Sequence, residues 1–112
     1  MIHMLSRFDL APGVTLKVFS ENYDRLFGQL RNLDLVETTG AVGERVADTP
    51  MDTDAVDAPR YYVVMSFRDR AQLDASYAYF AEGAASPDHV ATHLKLNRGA
   101  INHVFTCWED AD

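Results

Sequence analysis

Cysteine is nearly absent from this sequence, since Cys107 is the only one in 112 residues. A single cysteine cannot form an intramolecular disulfide, so the cysteine content does not indicate an oxidising compartment. No stretch approaches the roughly 20 apolar residues of a membrane-spanning helix. The first eight residues also lack the basic start and apolar run of a signal peptide. We therefore expect a cytoplasmic protein with no membrane partner.

Basic residues are also scarce, with 10 Lys and Arg against 17 Asp and Glu and a formal net charge of -7. Such a chain repels phosphate backbones, which argues against a nucleic-acid partner. The apolar fraction of 47% is typical of globular proteins and is enough to build a core. At this length we expect one domain spanning residues 1–112.

The first half of the chain alternates strand and helix patterns. Residues 2–8 predict a strand that ends at the turn signal Ala11-Pro12-Gly13. Thr15 is the expected N-cap of a helix, because apolar residues then recur every three or four positions as far as Leu33. Residues 35–47 have β-compatible side chains, with Gly40 and Gly43 favouring a bend or bulge.

The second half repeats this alternation and adds one helix. Residues 48–59 are rich in Asp and bounded by prolines, which predicts an acidic surface loop. Residues 60–67 are apolar at successive positions, as in a central strand, and residues 69–85 predict a helix. Ser86-Pro87-Asp88 is a helix start, and Ile101 to Trp108 form the last predicted strand.

The predicted order of elements is β-α-β-β-α-(α)-β. It defines an α+β fold, the ferredoxin-like βαββαβ arrangement with an extra short helix before the last strand, in which helices cover one face of a four-stranded antiparallel sheet. The other face also carries apolar and aromatic side chains, among them Tyr62 and Val64, together with Arg7. A monomer would expose this face, so we expect a homodimer joined through it, with Arg7 free to pair with a carboxylate of the partner.

At this point the chain resembles the dimeric α+β barrel superfamily. His3 on a first strand that ends in Ala11-Pro12-Gly13-Val14, and Ser86-Pro87-Asp88-His89 before the last strand, resemble the stress-responsive A/B barrel group. That group has a His-Pro-x-His stretch, in which Ser86 here replaces the first His and His89 matches the second. The resemblance is also compatible with an uncharacterised family of this superfamily. Its other families include quinol monooxygenases, lactone isomerases and haem-degrading enzymes, so the fold does not define one activity.

The resemblance does not imply a cofactor. The haem-degrading members suggest a helix-borne His with an Asn and a Trp in the pocket, whereas the only Trp here, Trp108, lies near the C-terminus. We therefore expect no cofactor. His89 and His93 lie four residues apart on one helix face and are weak candidates for a metal site, since a zinc site generally needs a third protein ligand.

His103 is the strongest candidate for chemistry. Its parity in the last strand matches that of Phe105 and Cys107, which predicts that it faces the helices, in the core or beside a cavity. A neutral His there is suited to act as a general base or to hold a polar group of a ligand. His93 and Tyr77 are further candidates for ligand binding.

These observations leave three functional alternatives open. The first is a homodimer with a small apolar ligand pocket between sheet and helices, in which catalysis is not required. The second is a cofactor-free monooxygenase or isomerase acting on a small hydrophobic or aromatic substrate, with His103 as base. The third is a metal-binding protein that uses His89 and His93.

Overall fold

The computed structural model describes residues 1–111 as five strands and three helices. In chain order these are β1 (Ile2–Leu10), α1 (Leu16–Asn32), β2 (Thr38–Thr39), β3 (Gly43–Glu44), β4 (Tyr61–Phe67), α2 (Arg70–Ala81), α3 (Pro87–Arg98) and β5 (Ala100–Glu109). Among these residues, none of the helices combines the length and the apolar character needed to cross a membrane.

All strands pair antiparallel in the order β2-β4-β1-β5, and β3 pairs with β4 on the same side as β2. This is the ferredoxin-like order, so the predicted fold class is confirmed. The predicted strand over residues 35–47 is reduced to two short pieces. Backbone N–H groups of Glu37, Gly40 and Arg45 still donate to carbonyls of β4 or its preceding residue, so the segment follows β4 without forming one continuous ladder.

The helices begin where their capping residues predict. The side chain of Thr15 accepts a hydrogen bond from Val18 N, and that of Ser86 accepts one from His89 N. Asp69 caps α2 in the same way. That helix ends at Ala81, four residues before the predicted end, and Gly83 then adopts a φ of 75°, which a residue without Cβ adopts readily.

The core lies between the three helices and one face of the sheet. The even-numbered residues of β1 point toward α1, as shown by the rings of Phe8 and Phe19, whose centroids are 4.5 Å apart. Tyr23 of α1 reaches β2, where its hydroxyl lies 2.6 Å from that of Thr39. The buried core residues are Phe8, Phe19, Tyr23, Leu26, Leu30, Val36, Val63, Met65, Phe67, Leu96 and Ala100.

The opposite face of the sheet, which we call the open face, carries the side chains of the alternate parity. Its members on β1, β4 and β5 are His3, Leu5, Arg7, Tyr62, Val64, Ser66, Val104, Thr106 and Trp108. Val104 and Trp108 are nearly half exposed. The molecule is accordingly a slab with extents of 43 × 42 × 20 Å, about as thick as one sheet and one helix layer.

Candidate ligand cavity

A cavity of about 660 Å³ lies between the sheet and the helices. The sheet contributes Met4, Met65, Phe67, Phe105 and Cys107 to its wall. The helix layer contributes Leu26 and Leu30 from α1, His93 from α3, and residues of α2 that include Leu73, Ser76, Tyr77 and Phe80. The wall is therefore mostly aliphatic, aromatic and thioether surface, the environment that an apolar ligand prefers.

Helix α2 borders this cavity, and polar contacts anchor the helix at its first turn. Gln72 there is buried, donates to Asp34 O and Glu37 Oε1, and accepts from the backbone N–H of Arg68. Farther along, Ser76 is the only other buried residue of the helix. Beyond this anchor, Leu73, Tyr77 and Phe80 line the cavity and do not fill the volume above β4.

His93 is the main polar group in the wall. Its ring stacks on Phe80, with centroids 4.1 Å apart and planes 24° apart, and its Nε2 lies 3.4 Å from Asn97 Nδ2. Burial lowers the pKa of His93 below its ordinary value because desolvation disfavours the charged form. The cavity therefore presents a neutral imidazole at pH 7, which can accept or donate a hydrogen bond.

Of the three predicted ligand-binding candidates, two line the cavity. His93 forms part of the inner wall, and Tyr77, with 75% of its surface exposed, lies at the rim. Sequence patterns did not single out Ser76 or Phe80 as site residues. The apolar stripe of α2 contains Phe80, but only the position of α3 beside it shows that its ring supports His93.

His103 lies outside the cavity wall, and its predicted burial is wrong. It faces the helix side, where its ring stacks on Phe105 with centroids 5.5 Å apart and lies tilted to Phe8 with centroids 6.2 Å apart, but it is exposed. The reason is that β5 is an edge strand whose only buried residue is Ala100. A register shift against β1 coincides with Asn102, whose φ is 57°.

His89 and His93 engage different neighbours. His89 Nδ1 lies 2.7 Å from the hydroxyl of Tyr79, which also accepts a hydrogen bond from Ser86 N, whereas His93 stacks on Phe80. Within residues 1–111, no group of three or more His, Cys, Asp or Glu side chains is placed to hold a metal ion. The structure thus adds no third ligand to this pair.

The acidic loop folds against the sheet rather than into the cavity mouth. Asp54 Oδ2 accepts hydrogen bonds of 2.8 Å from both Arg7 and Arg45, and Asp54 Oδ1 accepts another of 2.7 Å from Arg45. Hydrogen bonding from Arg45 is the main cause that lowers the pKa of Asp54. Arg7, expected to pair with a carboxylate of the partner, is thus paired with a carboxylate of its own chain.

The chain is similar in structure to several ferredoxin-like proteins. An Arabidopsis thaliana protein, At3g17210, superimposes with a TM-score of 0.68 at 13% identity, covering 100% of this chain and 97% of that one. A dimeric ferredoxin-like protein of unknown function from Jannaschia sp. CCS1 superimposes with a TM-score of 0.65 at 18% identity, covering 97% of this chain and 98% of that one. SnoaB, a cofactor-independent oxygenase from Streptomyces nogalater, superimposes with a TM-score of 0.66 at 8% identity, covering 99% of this chain and 93% of that one.

These likenesses establish the class of protein by its fold. The chain is an α+β protein with the ferredoxin-like fold, as predicted from its sequence, and its structural neighbours include proteins described as dimeric. No protein-family model matches the chain, and no curated protein matches it in sequence.

Proposed function

We propose that the protein is a homodimer in which each subunit binds a small hydrophobic molecule in the cavity beneath α2. The observation that carries this proposal is the cavity itself. Its volume of about 660 Å³ falls within the roughly 300–1,000 Å³ of known small-molecule sites, which are typically apolar with a few polar groups. No cofactor is needed for this function.

The surface area of the subunit supports the homodimer. The subunit exposes 7130 Å² at a mass of 12.5 kDa, whereas a monomeric protein of this mass exposes about 6,200 Å². The excess of about 900 Å² is close to the roughly 800 Å² that one partner buries in a standard interface. The open face is the apolar surface able to supply this area, and structural neighbours are described as dimeric.

The wall chemistry supports an uncharged, partly aromatic ligand. Phe67, Phe80 and Phe105 offer aromatic faces and edges, and the neutral His93 ring offers one hydrogen bond. Tyr77 at the rim adds a hydroxyl, and His103 lies just beyond Phe105. We assign ligand binding to His93 and Tyr77, with His103 as a third candidate next to the cavity.

Blocking the cavity tests the ligand proposal. The fluorescent probe N-phenyl-1-naphthylamine should bind the wild-type protein saturably, with one site per subunit. Ala81→Trp places an indole in the wall and should weaken binding at least about tenfold, which corresponds to 1.4 kcal/mol. Ala84→Trp adds the same indole at an exposed position outside the wall and serves as the control. Equal affinities for the two variants would exclude this cavity as the site.

Charge on the open face tests the homodimer. Val104→Lys places an ammonium group on that face, where Val104 is 49% exposed, and sedimentation velocity should show dissociation to monomer. Val90→Lys makes the same change on α3, where Val90 is 46% exposed, and should remain dimeric. A wild-type protein that sediments as a monomer at micromolar concentration would contradict the proposal.

The neutral imidazole favours one second candidate function, cofactor-free oxygenation or isomerisation of a small aromatic substrate. SnoaB, which shares the fold, is a cofactor-independent oxygenase. His93 would remove a proton from a phenol or an activated carbon, and His103 is the alternative base. Oxygen uptake with 1,4-dihydroxynaphthalene should exceed the protein-free rate and fall in His93→Gln or in His103→Gln. Uptake equal to the protein-free rate argues against oxygenation of this type of substrate.

A further inference from the structure

The acidic loop carries apolar side chains that its own subunit leaves in solvent. We call residues 45–60 the strap. Val46, Met51 and Val56 of the strap are 71%, 86% and 93% exposed, the three highest values among the large apolar residues apart from Tyr77. Single exposed apolar residues are ordinary on protein surfaces, and three of them within one short segment make this segment a candidate contact surface.

The strap is held beside the open face by polar contacts at two points. Asp54, in its middle, accepts a hydrogen bond from Arg7 of β1, and Arg7 Nη2 also lies 3.2 Å from the hydroxyl of Tyr62 on β4. At its end, Arg60 N donates to Asp9 Oδ1 over 3.0 Å. Because Arg7 and Tyr62 both belong to the open face, the strap is continuous with the surface proposed to meet the partner.

The side chains that hold the strap are themselves shielded from solvent. Those of Arg45, Arg7 and Asp54 are 12%, 22% and 34% exposed. Asp54 pairs with both arginines, which offsets part of the cost of removing their charges from water. The contacts therefore fix the strap beside the open face while Val46, Met51 and Val56 stay exposed.

From this placement we propose that the strap is part of the homodimer interface, and that its apolar side chains pack against a second copy of this chain at the rim of the open face. This rests on the proposed homodimer and extends it by naming the segment that completes the contact. The strap and the sheet contact together would form the interface to which the excess surface of about 900 Å² per subunit corresponds.

Equilibrium sedimentation of matched variants tests the strap. Met51→Asp combined with Val56→Asp should raise the dimer dissociation constant at least about tenfold, because two apolar contacts become charged. The control combines Val18→Asp with Val90→Asp, which adds the same charge to the helix layer at positions 44% and 46% exposed. It should stay within about threefold of the wild type, a difference below 1 kcal/mol. Far-ultraviolet circular dichroism verifies that both variants are folded.

The possible results separate the strap from the homodimer. A wild-type dimer whose dissociation constant changes equally in both variants overturns the strap proposal and leaves the homodimer intact. A wild-type monomer overturns both. A dimer that resists the strap substitutions, while a membrane or another protein binds the wild type and not the strap variant, also overturns the proposal, because the strap then serves a different partner.

A second pair of variants tests how the strap is held. Asp54→Asn removes the charge that pairs with Arg7 and Arg45 and should also raise the dimer dissociation constant. Asp57→Asn removes one charge from the same segment and serves as the control. Binding of N-phenyl-1-naphthylamine should be the same in both, since neither residue lines the cavity. An Asp54→Asn dimer as tight as that of Asp57→Asn would show that the pairing of Asp54 with Arg7 and Arg45 does not support the interface.

Discussion

Several polar side chains on the open face have hydrogen-bond partners within the subunit. His3 Nδ1 lies 2.6 Å from Ser66 Oγ, and its Nε2 lies 2.7 Å from Asp110 Oδ1. At the other end of β1, Arg7 is paired with Asp54. These partners lower the cost of burying the face against a second subunit, whereas Arg7 Nε is a buried donor that has no partner within the subunit.

The depressed pKa of His93 predicts a pH dependence of stability. As pH falls through about 6.5, the ordinary pKa of histidine, the unfolded chain binds a proton before the folded subunit does. The free energy of unfolding should therefore decrease below that pH, down to the lowered pKa of the folded state. His93→Phe keeps the stacking on Phe80 and removes the titration. Urea unfolding between pH 7.5 and 5 should show a smaller loss of unfolding free energy in the variant than in the wild type. An identical pH dependence in the two proteins would contradict the lowered pKa of His93.

Two phenylalanines on the helix side of the sheet differ sharply in burial and should differ in their contribution to stability. Phe8 is 1% exposed and packs on Phe19, so Phe8→Ala should lower the free energy of unfolding by about 3–5 kcal/mol. Phe105 is 57% exposed, and Phe105→Ala should cost less than about 1 kcal/mol. Chemical denaturation measures both. Similar losses of unfolding free energy in the two variants would mean that Phe105 is buried by contacts that are absent from the single subunit.

Helix starts and central strands were predictable because local chemistry decides them. Thr15 and Ser86 accept the hydrogen bonds expected of capping residues, and residues 60–67 contain the predicted central strand. The segment 35–47 was overpredicted, since a strand there depends on its pairing with β4 along its whole length. The β-propensity of a residue reflects how well its side chain fits a sheet surface. It does not show over what length a segment pairs with the neighbouring strand.

The candidate site was only partly predictable, for reasons of packing between elements. Parity correctly placed His103 on the helix side of β5, but parity does not reveal how far the helices extend over an edge strand. The cavity wall on α2 is positioned in part by the hydrogen bonds of Gln72 at the start of that helix. Those contacts join residues more than 30 positions apart, so no local pattern indicates them.

The cap of α3 gives a prediction for a single element. Ser86→Ala removes the acceptor for His89 N and should lower the free energy of unfolding by about 1 kcal/mol. Ser20→Ala, in the interior of α1, should be neutral or stabilise by about 0.5 kcal/mol, because alanine is the better helix former. Urea unfolding of the two variants measures the difference. A Ser86→Ala protein as stable as the wild type would show that solvent replaces this cap without loss.

The shape of the whole molecule predicts how its stability depends on concentration. In the proposed homodimer, the second subunit covers the apolar sheet face of a slab that is 20 Å thick and so contributes to its stability. Association linked to folding makes the unfolding midpoint depend on protein concentration. A partner at one hundred times its dissociation constant raises the free energy of unfolding by about 2.7 kcal/mol. Calorimetry at 1 and 100 µM should therefore give a Tm several degrees higher at the higher concentration. Val104→Lys, monomeric by design, should show the same Tm at both, and a wild-type Tm equally insensitive to concentration would place all of the stability within one subunit.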